Sequence, residues 1–124
     1  MTPAETLRAF WASMATNDFA AAALLLAPEI EVHWPQSGEV IRGRADFAAL
    51  NAAYPTTGLW RFRIDRMVAE GAEVVTDVLV QNDVMNARAI TFSTVTDGRI
   101  ARQVEYWPDP FPAPEWRAAW VSRS

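Results

Sequence analysis

The spacing of apolar residues divides the chain into a first half that is mostly helical and a second half that is extended. In two segments of the first half, which begin at residue 2 and after Gly43, apolar residues recur every three or four positions, which is the spacing of one helical face. Three helices are predicted in the first half. The first begins at a Thr-Pro-Ala-Glu capping box over 2–5, the second is the almost wholly apolar run 19–27, and the third follows Gly43 and ends at Pro55.

A short alternating segment lies between the second and third predicted helices. In the sequence Glu-Ile-Glu-Val-His-Trp over 29–34, apolar side chains fall on one side of a strand and polar side chains on the other. The alternation predicts that Trp34 points inward. It also predicts that His33 is a surface or subunit-contact residue rather than a catalytic base.

The second half of the chain has a period of two and predicts an antiparallel sheet. Four long strands joined by short turns are expected over 59–68, 73–81, 88–96 and 99–107. Helices followed by antiparallel strands are typical of an α+β fold, here a curved sheet wrapped over the helices. We expect one domain over 1–124, with a Pro- and Trp-rich tail over 108–124 that contains a short helix.

Composition excludes several classes of function. The net charge of -4 and the absence of an arginine cluster argue against a nucleic-acid surface. The chain has no cysteine and one histidine, so thiolate chemistry and His-rich zinc sites are excluded and no metal is expected. The N-terminus lacks the pattern of a signal peptide and no apolar run could span a bilayer, which favours a cytoplasmic protein without membrane contact.

The hairpin at Asp97-Gly98 places candidate chemistry on one face of the sheet. If these two residues form the turn, directly opposed positions sum to 195, and the predicted pairs are Phe92 with Gln103, Ile90 with Glu105, and Arg88 with Trp107. Arg88 would then lie diagonally opposite Glu105. This pattern allows either a carboxylate-guanidinium pair inside a pocket or an exposed ion pair that contributes little to stability.

Asp77 interrupts an apolar run in the middle of the second long strand. A buried carboxylate costs several kcal/mol unless it is paired, so such a residue usually belongs to a site or is not buried. The alternative places Thr76, Val78 and Val80 inward and Asp77 outward. The sequence leaves both possibilities open.

The order of elements, with Trp34-Pro35, Gly98-Arg99-Ile100 and Glu105-Tyr106-Trp107 at the ends of strands, resembles the nuclear transport factor 2-like superfamily. Ketosteroid isomerases, scytalone dehydratase, limonene epoxide hydrolase and the SnoaL-like polyketide cyclases share that fold, and the chain looks closest to an uncharacterised SnoaL-like branch. The resemblance implies a cone-shaped half-barrel, in which a mostly antiparallel sheet wraps over three N-terminal helices. It also implies a homodimer formed through the outer face of the sheet.

The same resemblance removes one activity. Laid without gaps over residues 8–35, the tyrosine of the ketosteroid isomerases falls on Phe10 and their aspartate base on Trp34. Counted back from Gly98, their second acid falls on Ile90. All three positions are apolar here. The groups that enolise a steroid are therefore absent.

In relatives, the last strand's residues in phase with Gln103, Glu105 and Trp107 line the cavity. The resemblance thus implies binding of a small, mostly apolar, cyclic metabolite without a metal or organic cofactor. We expect Glu105 to act as general acid or base, Arg88 to anchor an anionic group, and Asp77 or Asp109 to be a further acid. The expected cavity residues are Phe10, Trp34, Tyr54, Phe92, Gln103 and Trp107. The alternatives are a non-catalytic ligand-binding or accessory protein, and an assembly protein whose cone is filled by its own side chains.

Overall fold

The computed structural model describes all 124 residues and contains three α-helices, six strands and a C-terminal 3₁₀-helix. The helices are α1 (Pro3–Met14), α2 (Phe19–Ala23) and α3 (Arg44–Ala53). The strands are β1 (Leu26–Trp34), β2 (Glu39–Arg42), β3 (Arg61–Glu70), β4 (Glu73–Gln81), β5 (Asn86–Thr96) and β6 (Arg99–Tyr106), and the 3₁₀-helix is Glu115–Trp120. None of the helices combines the length and the apolar character that a membrane-spanning helix requires.

The strands form one curved, unclosed sheet in the order β2-β1-β6-β5-β4-β3. All neighbouring pairs are antiparallel except β1 and β6, which run parallel. Helix α1 packs on β3, β4 and β6, while α3 packs on β1 and β2. The predicted α+β fold with helices held inside a curved sheet is thus confirmed.

The apolar stripe of α1 forms the centre of the core. The predicted capping box is present, since the Thr2 hydroxyl accepts from the Glu5 amide at 3.1 Å and Glu5 accepts from the Thr2 amide at 2.8 Å. Four apolar side chains of α1 are buried against the inner face of the sheet, namely Leu7, Phe10, Trp11 and Met14. The cap therefore fixes where the helix starts, and burial of the stripe holds it on the sheet.

The prediction of a helix over 19–27 was wrong in its second half. Helix α2 ends at Ala23, and Leu26 already pairs with Ile100 in the parallel ladder. Pro28 lies inside β1, in the irregular stretch of the register between Leu26 and Glu31, where a residue without an N–H donor is tolerated. A short apolar run does not distinguish a buried helix from a buried strand, and the ladder with β6 decided the outcome.

The Asp97-Gly98 turn forms as predicted, but the pairing beyond it does not. Both turn residues have positive φ, 51° and 75°, as a type I′ turn requires. Between the pairs Val95–Ile100 and Thr94–Arg102 the strand β6 contains one extra residue, Ala101, which is a β-bulge.

The bulge changes which residues share a face. The observed pairs beyond it are Ser93 with Gln103, Phe92 with Val104, Thr91 with Glu105 and Ile90 with Tyr106. The predicted pairs of Phe92 with Gln103, Ile90 with Glu105 and Arg88 with Trp107 were therefore wrong. Because a shift of one residue reverses the side-chain faces, Gln103 and Glu105 lie on the inner face, whereas Arg88, Ile90 and Phe92 lie on the outer face.

Candidate functional site

A cavity of about 430 Å³ opens between α3, the inner face of the sheet and the segment that follows β6. Its walls are mostly apolar and include five aromatic side chains, those of Trp34, Tyr54, Trp60, Phe62 and Trp107. Leu50, Val80, Met85 and Ala87 complete the apolar lining, and the polar lining residues are Gln36, Ser37, Asn51 and Asp109. No arginine lines the cavity, and the chain contains no lysine.

Glu105 is a buried carboxyl group directly behind this cavity. Its Oε1 accepts from Trp34 Nε1 at 3.0 Å and its Oε2 accepts from Thr91 Oγ1 at 2.6 Å. The side chain does not line the cavity itself, and the Trp34 indole connects it to the wall. No arginine pairs with Glu105, which makes it a buried acid without a counter-ion.

Burial raises the pKa of Glu105 above the usual glutamate range. The hydrogen bond from Thr91, then that from Trp34, and then the nearby Trp107 side chain oppose this rise without cancelling it. A carboxyl group whose pKa is raised by burial keeps its proton to a higher pH than an exposed one, as carboxyl groups that act as general acids do.

The outer face of the sheet holds Arg88, which was expected to pair with Glu105. Arg88 Nη1 instead lies 2.6 Å from Asp77 Oδ1 and 2.9 Å from Asp65 Oδ2. Arg66 binds the other Asp77 oxygen through Nε and Nη2 at 3.0 and 2.8 Å. The predicted pair of Arg88 with Glu105 was wrong, because the bulge at Ala101 separates the two side chains by the thickness of the sheet.

Asp77 lies on the outer face of the sheet, which is one of the two alternatives that the sequence left open. Thr76, Val78 and Val80 are buried on the inner face, and Asp77 lies between the guanidinium groups of Arg88 and Arg66. Those two arginines, Arg88 first, hold the pKa of Asp77 below its usual range. Asp77 is thus an ionised member of a surface network and does not reach the cavity.

Three of the six expected cavity residues line the cavity: Trp34, Tyr54 and Trp107. Phe10 is fully buried in the core, where it packs on Trp11 and Phe47. Gln103 is buried beside Ser93, to which its amide donates at 3.1 Å. The prediction was wrong for these two and for Phe92, which packs on Tyr106 on the outer face and is 45% exposed.

Sequence reasoning missed Trp60, Phe62 and Gln36 as cavity residues. A signal was present for the first two, because they stand in phase on the strand predicted over 59–68. The observed strand is Arg61–Glu70, so Phe62 lies on it and Trp60 directly precedes it. Gln36 has no such signal. It holds Trp107 at the cavity mouth through two hydrogen bonds, accepting from the Trp107 amide at 2.6 Å and donating to its carbonyl at 3.1 Å.

The turn between β4 and β5 forms another part of the mouth. Asn82 Oδ1 accepts from the amides of Val84 and Met85, and its Nδ2 donates to Thr56 Oγ1 at 2.6 Å. These bonds connect the turn to the segment between α3 and β3, which carries Tyr54 and Trp60. The buried amide of Asn82 therefore sets the distance between two walls of the cavity.

The structure shows where His33 lies and where the three residues matched to the isomerase groups lie. His33 Nε2 lies 2.9 Å from Glu31 on the side of β1 that faces away from the core, as predicted. Of the apolar replacements, Phe10 lies in the core and Trp34 at the cavity. Ile90 lies on the outer face, so the count back from Gly98 did not find an inward position, and Thr91 is the inward residue at that level.

One family model and several solved structures match most of this chain. A family model described as the SnoaL-like domain matches residues 7–103. A protein of Kribbella flavida DSM 17836 provisionally assigned as a ketosteroid isomerase is 28% identical, with a TM-score of 0.87, over 97% of this chain and 87% of its own. An NTF2-like protein of unknown function from Burkholderia xenovorans LB400 is 30% identical, with a TM-score of 0.80, over 98% of this chain and 94% of its own.

A third solved structure contains a bound small molecule. It is a hypothetical protein of Catenulispora acidiphila DSM 44928 with a ketosteroid isomerase-like fold, in complex with trimethylamine. It is 15% identical, with a TM-score of 0.70, over 82% of this chain and 84% of its own. A search of curated proteins found no significant match. The family match covers most of the chain and agrees with the observed order of helices and strands, and the chain therefore belongs to the SnoaL-like domain family.

Proposed function

We propose that this protein binds a small, mostly apolar, cyclic metabolite in the cavity and changes it by acid-base chemistry, without a metal or organic cofactor. The observation that carries the proposal is a cavity lined by aromatic side chains, where the indole of Trp34 donates a hydrogen bond to the buried carboxyl group of Glu105, which has no counter-ion. A volume of about 430 Å³ is within the range of pockets for small molecules. The trimethylamine bound to a protein of the same fold supports small-molecule binding.

Glu105 is the proposed proton-active residue. In its protonated form, Glu105 would give a proton to a ligand oxygen that takes the place of the Trp34 indole N–H at Oε1. The resulting carboxylate would later recover a proton from the product or from water. Reactions of this kind include isomerisation, cyclisation, dehydration and hydration. Asp109 lines the cavity and is the second candidate for proton transfer. Arg88 and Asp77 have no part in this proposal, because they lie on the outer face.

A second candidate function is binding without catalysis. Two observations favour it: both oxygens of Glu105 already have donors within the protein, and the positions matched to the isomerase tyrosine and aspartate base, Phe10 and Trp34, are apolar. In that case the carboxyl group would only stabilise the Trp34 wall. The same cavity would then serve for transport, sensing or delivery of the ligand.

The two functions predict different effects of the Glu105→Gln substitution. Glutamine keeps the size of the side chain and its ability to accept from Trp34, but it cannot transfer a proton. If the protein is an enzyme, Glu105→Gln should keep the dissociation constant within about threefold and reduce turnover by about 100-fold or more. If it is a binder, only the affinity changes and no product forms with any ligand.

The assay begins with ligands found by mass spectrometry of the purified protein and by a panel of cyclic ketones, lactones and epoxides. Binding is followed by quenching of tryptophan fluorescence, and products by liquid chromatography with mass spectrometry. Asp77→Asn is the matched control, because it also neutralises one buried acid but on the other face of the sheet. Full turnover in Glu105→Gln together with loss of turnover in Asp109→Asn would show that Asp109, and not Glu105, transfers the proton.

We also propose that the protein is a homodimer that associates through the outer face of the sheet. Phe92 and Tyr106 support this, because their rings pack together there at 6.2 Å and remain 45% and 39% exposed. Exposed apolar surface of this kind is common at contacts between proteins. Sedimentation of the wild type should show a dimer, and Phe92→Arg should shift it toward monomer. A monomeric wild type at micromolar concentration would refute the proposal.

A further inference from the structure

The aromatic walls of the cavity form a cage. The rings of Tyr54 and Trp60 meet nearly at right angles, at 80° with centroids 5.4 Å apart, and Trp34, Phe62 and Trp107 supply further walls. The face of each aromatic ring carries a partial negative charge. Several rings around one space attract a cation whose charge is spread over carbon-bound groups, as in aromatic cages for methylated ammonium ions.

The lining of the cavity carries only negative charge. Asp109 is the only charged side chain in its lining. A second, more open hollow shares Trp34 and Leu50 with the cavity. Glu39 and Asp46 also line it, and no arginine does. The nearby arginines have partners within the protein. Arg61 donates to the Asn82 carbonyl at 3.4 Å and lies 3.6 Å from Asp83. Arg44 donates to the Leu26 carbonyl at 2.9 and 2.6 Å, and Arg88 lies in the outer network. The surroundings thus favour a positive ligand and oppose a carboxylate or phosphate.

Some of the polar groups of the lining are already hydrogen-bonded within the protein. Both ends of the Gln36 amide bind Trp107, and Ser37 donates to Glu39 at 2.6 Å. The amide nitrogen of Asn51 donates to the Phe47 carbonyl at 2.8 Å. A primary ammonium group would bring three N–H donors that need acceptors. A methylated ammonium group needs none, and the five aromatic side chains of the lining attract it without hydrogen bonds.

We propose that the natural ligand carries a methylated or otherwise alkylated ammonium group that binds among the aromatic rings, with Asp109 supplying the negative charge at the rim. This inference rests on the proposed function, because it names the class of ligand that the same cavity would take. It does not depend on whether Glu105 transfers a proton.

The test compares two probes of equal shape that differ in charge. These are 3-hydroxyphenyltrimethylammonium and 3-tert-butylphenol, measured at neutral pH by isothermal titration calorimetry on the full chain. The neutral probe has the greater tendency to leave water, so a purely apolar cavity would prefer it. We expect the cation to bind at least about tenfold more tightly.

Two substitutions locate the site. Tyr54→Leu removes one wall of the cage and should lower the affinity for the cation about threefold or more, whereas Tyr54→Phe keeps the ring and should leave that affinity nearly unchanged. Tyr54 is 44% exposed at the end of α3, so neither change should unfold the protein. Asp109→Asn should weaken binding of the cation but not of the neutral probe.

The outcomes separate this inference from the proposed function. Equal or tighter binding of the neutral probe would overturn the inference and leave an apolar ligand site in place. If neither probe bound, both the inference and the binding part of the proposed function would fail. A preference for the cation that survives both Tyr54→Leu and Asp109→Asn would place its site elsewhere and would also overturn the inference.

Discussion

Replacing Glu105 by glutamine should make the protein more stable at neutral pH, even though it removes a charged group from the interior. The carboxyl group is buried and has two hydrogen-bond donors, Trp34 and Thr91, but no cation beside it. An uncharged amide of the same size can accept from Trp34 and donate to the Thr91 oxygen. The substitution therefore removes the cost of burying an ionised group and keeps most of the packing.

The sign of the pH dependence follows from the raised pKa of Glu105. In the unfolded chain a glutamate releases its proton near pH 4.3, whereas in the folded protein Glu105 keeps it to a higher pH. Between those two pKa values the folded state binds more protons, so the stability of the wild type falls as the pH rises. The loss amounts to roughly 1.4 kcal/mol for each unit by which the folded pKa is raised.

The measurement is urea unfolding of the wild type and Glu105→Gln at a series of pH values from about 4 to 8. Other groups titrate equally in both proteins, so the difference between the two free energies of unfolding isolates Glu105. We expect the wild type and Glu105→Gln to have similar free energies of unfolding near pH 4. As the pH rises, the variant should become more stable than the wild type. The difference between the two free energies should become constant above the pKa of Glu105 in the folded protein. Glu29→Gln, at an exposed position on β1, is the matched control and should show no such gain.

A difference that did not change with pH would refute the reasoning. An increase in the relative stability of the wild type toward neutral pH would do so more strongly. That result would mean that the hydrogen bonds from Trp34 and Thr91 outweigh the effect of burial, so that Glu105 is a permanently ionised group.

Three further substitutions test other contacts. Asp77→Asn should lower the free energy of unfolding by only about 1 kcal/mol at neutral pH, because the arginine partners of Asp77 are partly exposed. The difference from the wild type, measured by urea unfolding, should vanish as the pH falls below about 3.9 and through the lowered pKa of Asp77. An undiminished difference near pH 2 would contradict this. Gln36→Ala should cost about 1 kcal/mol and speed hydrogen exchange of the Trp107 amide, whereas unchanged exchange would show that Gln36 does not hold that segment. Trp34→Phe removes an N–H donor, so the pKa of Glu105, followed by carbonyl NMR, should rise further, and a fall would disprove the role of the indole.

Most elements could be predicted from the sequence because their signals are local. The capping box marks the start of α1, the alternation over 73–81 gives β4 to the residue, and Asp97-Gly98 marks the last hairpin. Trp34 was predicted to point inward from alternation alone, and it forms a wall of the cavity. In each case a few neighbouring residues carry the information.

The errors have a common cause in contacts between distant parts of the chain. Leu26 belongs to a strand and not to a helix because it pairs with Ile100 in a parallel ladder. Phe92 faces outward and Glu105 inward because Ala101 is accommodated as a bulge, and nothing in the local sequence marks alanine as the extra residue. One residue of register decides which face every later side chain occupies.

The sequence by itself determined the order of elements, the family, the absence of thiol chemistry and the set of acids available to a site. Only the tertiary structure decided that Glu105 is the acid behind the cavity, while Arg88 neutralises Asp77 on the opposite face. The physical reason is that the order of elements depends on periodicity, which neighbouring residues define. The partners of a charge depend on strand register, which is fixed by the packing of the whole sheet.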